Sequence, residues 1–455
     1  MKVLSPGALR VPRFNRPVYM VAGGLTDYRK TYPEKKMEEL CMEAFRMMLE
    51  ENDLKKDPLE VKGMINASFI GHFADHFGDQ LLGEAKVSDY LGLDPLGNLG
   101  IKTGGATGGS TVWTAAMAVA SGYCDVALAL GFERMDEVDT RTGNYYISTA
   151  ACKDFETRLA RIYASYYAPM ARRFSQKYNL SEITRAKVAQ KNRYYATMSP
   201  YAQQSGDHTI EEILGGRIVC DPLRMLECCA MSVGAASMLL CSEKVAKQLT
   251  DKPVQLFICA GTHTLRVADR RNMAVPLLPN ETPKDYKDMG SADDPWPGFE
   301  SFLAARFAAY HAYRMAKIKN PIEELDFVEL HDAFTISDIQ TYGDIGLRKY
   351  GEEPDYIESG DAYFGGRCPS NLSGGLLGTM HAVGATGIFQ GIETLWQVQG
   401  KYDKFHGDPK IWKRYGKTKP KKWKSLQVKN AKQGLWVSHA GVGSHVTVGI
   451  GRKAW

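Results

Sequence analysis

Three of the ten histidines stand in blocks where proton chemistry could be concentrated. His331 lies in ELHDAF (329–334), His381 in MHAVGATG (380–387) and His439 in SHAGVG (438–443). An imidazole titrates near neutrality, so each could take or give a proton during catalysis. The bland alternative for each is a buried histidine hydrogen-bonded in the core. The adjacent Cys228 and Cys229 could supply a thiolate, but cysteine is among the most buried residue types, and core filling is their ordinary role. Thr107 and Ser110 carry hydroxyls that would need a strong neighbouring base. Tyr145, Tyr146 and Tyr363 are phenolic candidates that nothing in the sequence distinguishes from core residues. The glycines at 374–375 and 384–387 permit close approach of backbone to a ligand. The run Gly104–Gly109 lacks dinucleotide-binding spacing, and there is no Walker A loop, HExxH or GxSxG. Nine cysteines without a CxxC pair exclude a structural zinc site of the usual spacing, so no metal is expected.

These candidates need elements to hold them. Residues 17–30 read as a strand and a glycine-rich turn. Met37, Leu40, Ala44, Met47 and Met48 fall at helical spacing over 36–51. VKGMINASFI reads as a strand, the turn at 104–110 feeds a helix, and CDVALALGFERM is a buried strand. Residues 150–230 are helix-rich and polar, an excursion from the sheet. Strands resume at MSVGAASMLLCSE and VQLFICAGT. The second half repeats the plan: a helix over 302–317, a strand at DFVELHDAF, a glycine-rich turn at NLSGGLLG, a helix after MHAVGATG, and a terminal hairpin. Strand, turn, helix, strand in both halves predicts a layered α/β fold. The division expected is 1–250, including a helical loop domain at about 125–230, and 251–455, including a basic insertion at 401–432.

The 455 residues are 44% hydrophobic and 24% charged, which excludes a disordered, collagenous or coiled-coil chain. No apolar run reaches the length of a membrane span, and the first residues lack a signal-peptide pattern, so a cytoplasmic location is expected. The net charge of +5 is uneven: 401–432 holds 12 Lys/Arg against 2 Asp/Glu. With Trp412, Tyr415 and Trp423 inside it, this stretch could grip nucleic acid, but a solvated loop or a docking surface for an acidic partner or a phosphate fits an enzyme-like chain better.

AMAVASGYCDVALALGFERM, KNRYYATMSPYAQ, DPLRMLECCAMSVGAA, ELHDAF and PSNLSGGLLGTMHAVGATG occur in an order and spacing that resembles the thiolase superfamily, in particular the sterol carrier protein type of thiolase. The resemblance runs from about Arg16 to the end. It implies a thiolase fold, two similar halves in a five-layered αβαβα arrangement with a helical loop domain, acting on acyl-CoA thioesters and normally at least dimeric. It places His331 and His381 at active-site positions, and His439 where a cysteine acid/base usually stands. It implies that Gly105, Ala106, Asn371, Gly384 and Gly443 border the substrate. The nucleophilic cysteine of the family falls on Gly105, or on Ala106 if the register shifts by one.

A site without its sulfur attacker suits a C–C lyase. A retro-aldol on a β-hydroxyacyl-CoA needs a base and a hole for the thioester enolate, with no acyl acceptor. The alternatives are a thiolase that cleaves a β-ketoacyl-CoA with CoA through another cysteine, and a non-catalytic scaffold subunit. No cofactor is expected beyond coenzyme A as part of the substrate. The partners implied by the resemblance are a second copy of the chain and a separate OB-fold, zinc-carrying subunit. Nucleic acid is not expected.

Overall fold

The structure, a computed structural model, describes residues 2–4, 10–159, 162–266, 274–286 and 298–455. The strands of its main sheet are β1 (Val18–Leu25), β2 (Ala67–Gly71), β3 (Gly97–Ile101), β4 (Val126–Arg134), β5 (Val233–Ser242), β6 (Val254–Thr262), β7 (Phe327–Glu329), β8 (Gln433–Ala440) and β9 (His445–Lys453). They form one nine-stranded sheet in the order β7-β8-β9-β6-β1-β5-β4-β2-β3. β1 pairs with β5 along its length but with β6 only over Val18–Met20, and its register shifts between Met20 and Ala22. The sheet therefore has two leaves joined at β1.

Helices α1 (Met37–Glu50), α2 (Thr107–Ser121), α3 (Ala164–Tyr178), α4 (Glu182–Ala196), α5 (Leu303–Ala316) and α6 (Val383–Gln399) complete the frame. Leu40, Ala44 and Met48 of α1 share a core with Val21, Leu128 and Leu239 on the outer face of one leaf. Ala308 and Ala312 of α5 share another with Val446, Val448 and Ile450 of the other leaf. α2 and α6 touch each other and strands of both leaves. The layers are thus αβαβα. Every residue of α6 is buried, its polar Gln390, Glu393 and Gln397 included, as befits a helix in a central layer. Each of Ile388, Phe389, Ile392 and Leu395 withdraws a side chain worth roughly 2 kcal/mol from water.

The tetrapeptide Gly-Ala-Thr-Gly occurs twice, at 105–108 and 384–387, where the two central helices begin. A Cβ on Gly387 would meet the Gly109 nitrogen at 2.1 Å, and one on Gly108 would meet the Gly387 nitrogen at 2.5 Å. The helices cross backbone to backbone, which is why glycine stands there.

Several elements differ from the sequence reading. Gly23 and Gly24 form no turn but lie inside β1. The Asn52 side chain brackets the Gly23 peptide, and a Cβ on Gly24 would strike the Ala44 carbonyl at 2.1 Å, because α1 rests directly on the strand. VKGMINASFI contributes only β2 to the sheet. Asp57 accepts the Leu59 N–H and Pro58 opens a short helix, Pro58–Gly63, ahead of it. DFVELHDAF is a strand only over β7, because the Asn371 side chain, not a neighbouring strand, takes the Leu330 N–H. β4 belongs to the sheet, so the helical excursion begins after Arg134 rather than near 125.

The basic stretch 401–432 folds onto the body. Lys401 and Lys404 pair with Asp53, and Arg414 pairs with Glu51. Trp412 donates to the His406 carbonyl at 2.7 Å, Tyr415 to Leu25 at 3.0 Å and Trp423 to Met198 at 2.9 Å. Its aromatic rings are used inside the protein and are not offered for base stacking. Among the described residues no helix is long and apolar enough to cross a membrane.

Candidate active site

Three loops converge where the central helices start. His331 follows β7, His439 lies near the end of β8, and His381 precedes α6. The ring centroids of His331 and His439 are 4.1 Å apart, and those of His331 and His381 are 5.0 Å apart with the rings nearly perpendicular. The backbone N–H of His439 donates to His331 Nδ1 at 3.4 Å. Burial pushes the His331 imidazole well below its usual range, and the neighbouring His439 and His381 add to the fall. A neutral His331 that accepts at Nδ1 carries its proton on Nε2, so it is a donor.

His381 is held by Ser232, whose Oγ accepts its backbone N–H at 2.9 Å. Its Nδ1 lies 3.0 Å from Thr386 Oγ1, which in turn lies 3.2 Å from the Ala382 carbonyl. Burial pushes the His381 imidazole down to about 4. At neutral pH both rings are uncharged, and His381 donates at Nε2 in the tautomer whose Nδ1 accepts the Thr386 hydroxyl.

Gly105 faces this cluster, and no side chain fits on it. A Cβ there would lie 2.4 Å from the His439 carbonyl oxygen. The Gly105 carbonyl accepts from Ser438 Oγ at 3.4 Å. The slot for a side chain at this position is occupied by the backbone of the 438–443 loop. Ala106 is buried, and its N–H donates to Thr103. Thr107 and Ser110 are engaged with Gly104 and Thr103, and Ser110 also with His445.

A cavity of about 870 Å³ opens beside the cluster. His381, Tyr163, Phe334, Met231 and Cys229 are among its lining residues, as are Arg29, Lys30, Arg217 and Lys417. His381 is the imidazole on its wall. His331 and His439, each 1% exposed, stand behind His381. Burial pushes the Cys229 thiol up to about 12 and the Cys228 thiol well up, so neither is a thiolate near neutrality.

A buried polar frame fixes these loops. Asp332 accepts the N–H groups of Leu376 at 2.6 Å and Leu377 at 3.2 Å, and the Asn192 amide at 2.7 Å. A Cβ on Gly375, at φ +59°, would strike the Asp332 carboxylate at 2.3 Å. Lys191 donates to Ser370 and Asn192. Glu133 accepts the N–H groups of Phe73 at 2.8 Å and Gly384 at 2.9 Å, and burial raises its carboxyl to about 8. Glu329, held by Ser373, is raised to about 8 by burial and by Glu393.

Residues 18–244 match the thiolase N-terminal domain, and 295–408 match a thiolase C-terminal domain-like family. An acetyl-CoA acetyltransferase of Methanothermobacter thermautotrophicus is 32% identical over 375 residues, covering 82% of this chain and 90% of that protein. The chain belongs to the thiolase family. Sterol carrier protein 2 of Gallus gallus is 28% identical over 85% of this chain and 66% of that protein. A solved structure described as an "Ltp2-ChsH2(DUF35) aldolase" superposes with a TM-score of 0.70 at 20% identity, covering 97% of this chain and 99% of the other. That likeness concerns the thiolase fold alone.

Within this thiolase fold the three expected histidines come together. The five residues expected to border the substrate do not line the cavity. Asn371, at φ +54°, spends its side chain on Leu330 and Asp338. The Gly384 N–H is taken by Glu133, and the Gly443 N–H, at φ +79°, by the Ala440 carbonyl. Their glycine and asparagine character serves loop geometry. Tyr145 and Tyr146 pack against each other, with Tyr146 on His76 and Phe77, and Tyr363 packs beside the second-half core. The phenol that reaches the cluster is Tyr167 on α3, whose Oη lies 3.0 Å from His439 Nε2. Its only trace in the sequence is a Tyr-Tyr pair in a helical stretch. Lys191 and Asn192 were visible as part of the KNRYYATMSPYAQ block, though not as the clamp on Asp332.

Proposed function

We propose that the protein is an acyl-CoA C–C lyase that cleaves, or by reversal forms, a β-hydroxyacyl-CoA without an acyl-enzyme. The observation that carries this is Gly105. The nucleophile position has no thiol, and its side-chain direction is filled by the His439 carbonyl. In this reading Thr386 turns its hydroxyl to His381 Nδ1, the thioester oxygen lies against the His381 Nε2–H, and His331 contributes through a bridging water. A base removes the β-hydroxyl proton and a carbonyl forms at Cβ. The Cα–Cβ pair passes into a thioester enolate, which a proton then quenches at Cα. The products are a shortened acyl-CoA and an aldehyde or ketone. Neutral N–H donors aimed at the enolate typically contribute about 3 kcal/mol each.

The cationic side chains around the cavity, Arg29, Lys30, Arg217 and Lys417, suit the phosphates of coenzyme A. For partners, the reading keeps a homodimer and a separate OB-fold, zinc-carrying subunit. β3 ends the sheet, with Leu99 52% exposed and Leu81, Leu82 and Tyr123 also exposed. An open edge of this kind suits pairing with a second copy.

A second reading retains thiolase chemistry on Cys229, because that thiol lines the same cavity as His381. The two separate on one experiment: incubation with β-hydroxyacyl-CoA and β-ketoacyl-CoA substrates, with and without free CoA. The lyase releases a free carbonyl product and consumes no CoA. CoA consumption together with an acyl group trapped on Cys229 would overturn it.

A further inference from the structure

His439 does not border the cavity, yet its ring centroid lies 4.1 Å from that of His331 and the residue is tied to a different domain. Tyr167 Oη lies 2.6 Å from the Gly441 carbonyl and 3.0 Å from His439 Nε2. A carbonyl only accepts, so the single phenolic proton of Tyr167 goes to Gly441. The bond to His439 must then be made by a proton on Nε2. Neutral His439 is thereby held with its lone pair on Nδ1.

The ring of Tyr167 is fixed by stacking on Phe334, centroids 4.3 Å apart, and both Tyr167 and His439 meet Phe302. Tyr163, one turn earlier, hydrogen-bonds to Tyr167 and stands in the cavity wall. A chain of contacts therefore leads from the cavity through two phenols to a buried imidazole.

We propose that Tyr167 is a positioning residue that selects the Nε2–H tautomer of His439 and holds that residue against His331. The catalytic value of the arrangement rests on the lyase reading above. There His439, held by Tyr167, keeps its backbone N–H on His331 Nδ1 and so keeps His331 a donor through Nε2. The tautomer assignment itself does not depend on that reading.

Two measurements on the full chain test it. With ¹⁵N-labelled histidine, the long-range imidazole spectrum of the wild type should show His439 protonated on Nε2. In Tyr167→Phe, which keeps the stacking ring, His439 should become a tautomer mixture. On a β-hydroxyacyl-CoA substrate the same variant should lose roughly tenfold to a hundredfold in kcat, with KM nearly unchanged. An unchanged near-ultraviolet circular dichroism spectrum would show that the fold is retained. A wild-type His439 protonated on Nδ1, or a tautomer state indifferent to Tyr167→Phe, would overturn the assignment. A chain that cleaves no β-hydroxyacyl-CoA would sink the lyase reading while the tautomer result still decides the role of Tyr167.

Discussion

Reinstalling a cysteine at the family's nucleophile position should fail to make a thiolase. A Cβ at residue 105 would sit 2.4 Å from the His439 carbonyl oxygen, whereas ordinary contact begins at 3.4 Å. The 438–443 loop would have to withdraw by the difference, 1.0 Å. The same residue supplies the N–H that reaches His331 Nδ1 at 3.4 Å, so this already long bond is lost as the loop moves. Overpacking of this kind costs about 1–3 kcal/mol, and the hydrogen bond adds about 1. For a chain of this length, roughly 1 kcal/mol of destabilisation lowers Tm by about 1 °C, so Gly105→Cys should lower Tm by about 2–4 °C. Gly105→Ala should account for most of that fall, because the clash begins at Cβ. Differential scanning calorimetry of both variants, followed by a CoA-dependent cleavage assay and mass spectrometry for an acyl adduct, checks the argument. A Gly105→Cys protein as stable as its parent that accumulates an acyl group on the introduced thiol would refute it.

The buried carboxyls set a pH trend. Glu133 and Glu329, raised to about 8 in the fold, hold protons that the unfolded chain releases above about 4.5. Stability should therefore fall between pH 6.5 and 8 by roughly 1.4 kcal/mol per pH unit for each group, measurable by denaturant titration. His381, depressed to about 4, acts in the opposite sense between pH 4 and 6.5, where the unfolded chain binds the proton that the fold refuses. Glu133→Gln should flatten the decline from pH 6.5 to 8 by roughly 2 kcal/mol, and an unaltered slope would contradict a protonated Glu133. Cys229→Ser should cost less than about tenfold in turnover, whereas loss of a true nucleophile removes about 10⁴-fold or more. His381→Ala should lower turnover by about a hundredfold, and undiminished turnover would remove it from the site.

The sequence made the histidine blocks legible because each motif is local: a few residues around His331, His381 and His439 carry their own loop. The layered α/β order was equally legible, since strands β4, β5, β6, β8 and β9 are apolar runs bounded by turns. What was hidden depends on distant partners. Gly23 and Gly24 look like a turn until α1 is seen lying on them. Tyr167 joins His439 across 272 residues of chain, and no periodicity within α3 announces it. The basic run at 401–432 looks like an open patch because Glu51 and Asp53, which take up Arg414, Lys401 and Lys404, stand near the other end of the chain. The borders expected for substrate, such as Gly384 and Asn371, proved to be committed by hydrogen bonds to Glu133, Leu330 and Asp338 that only the folded chain reveals.

The twin Gly-Ala-Thr-Gly seam ties the two halves together without side chains to cushion them. A methyl group added at Gly108 or Gly387 on one side is felt by the peptide of the other, so neither half can drift without dragging its counterpart's loop along. The room for adapting to a different acyl group therefore lies away from this seam, on the helices and loops of 135–231, whose residues Ile147, Tyr163, Val219, Met225 and Met231 wall the cavity. Diversifying those walls while leaving the seam intact is the route by which the same histidine cluster could be presented to new substrates.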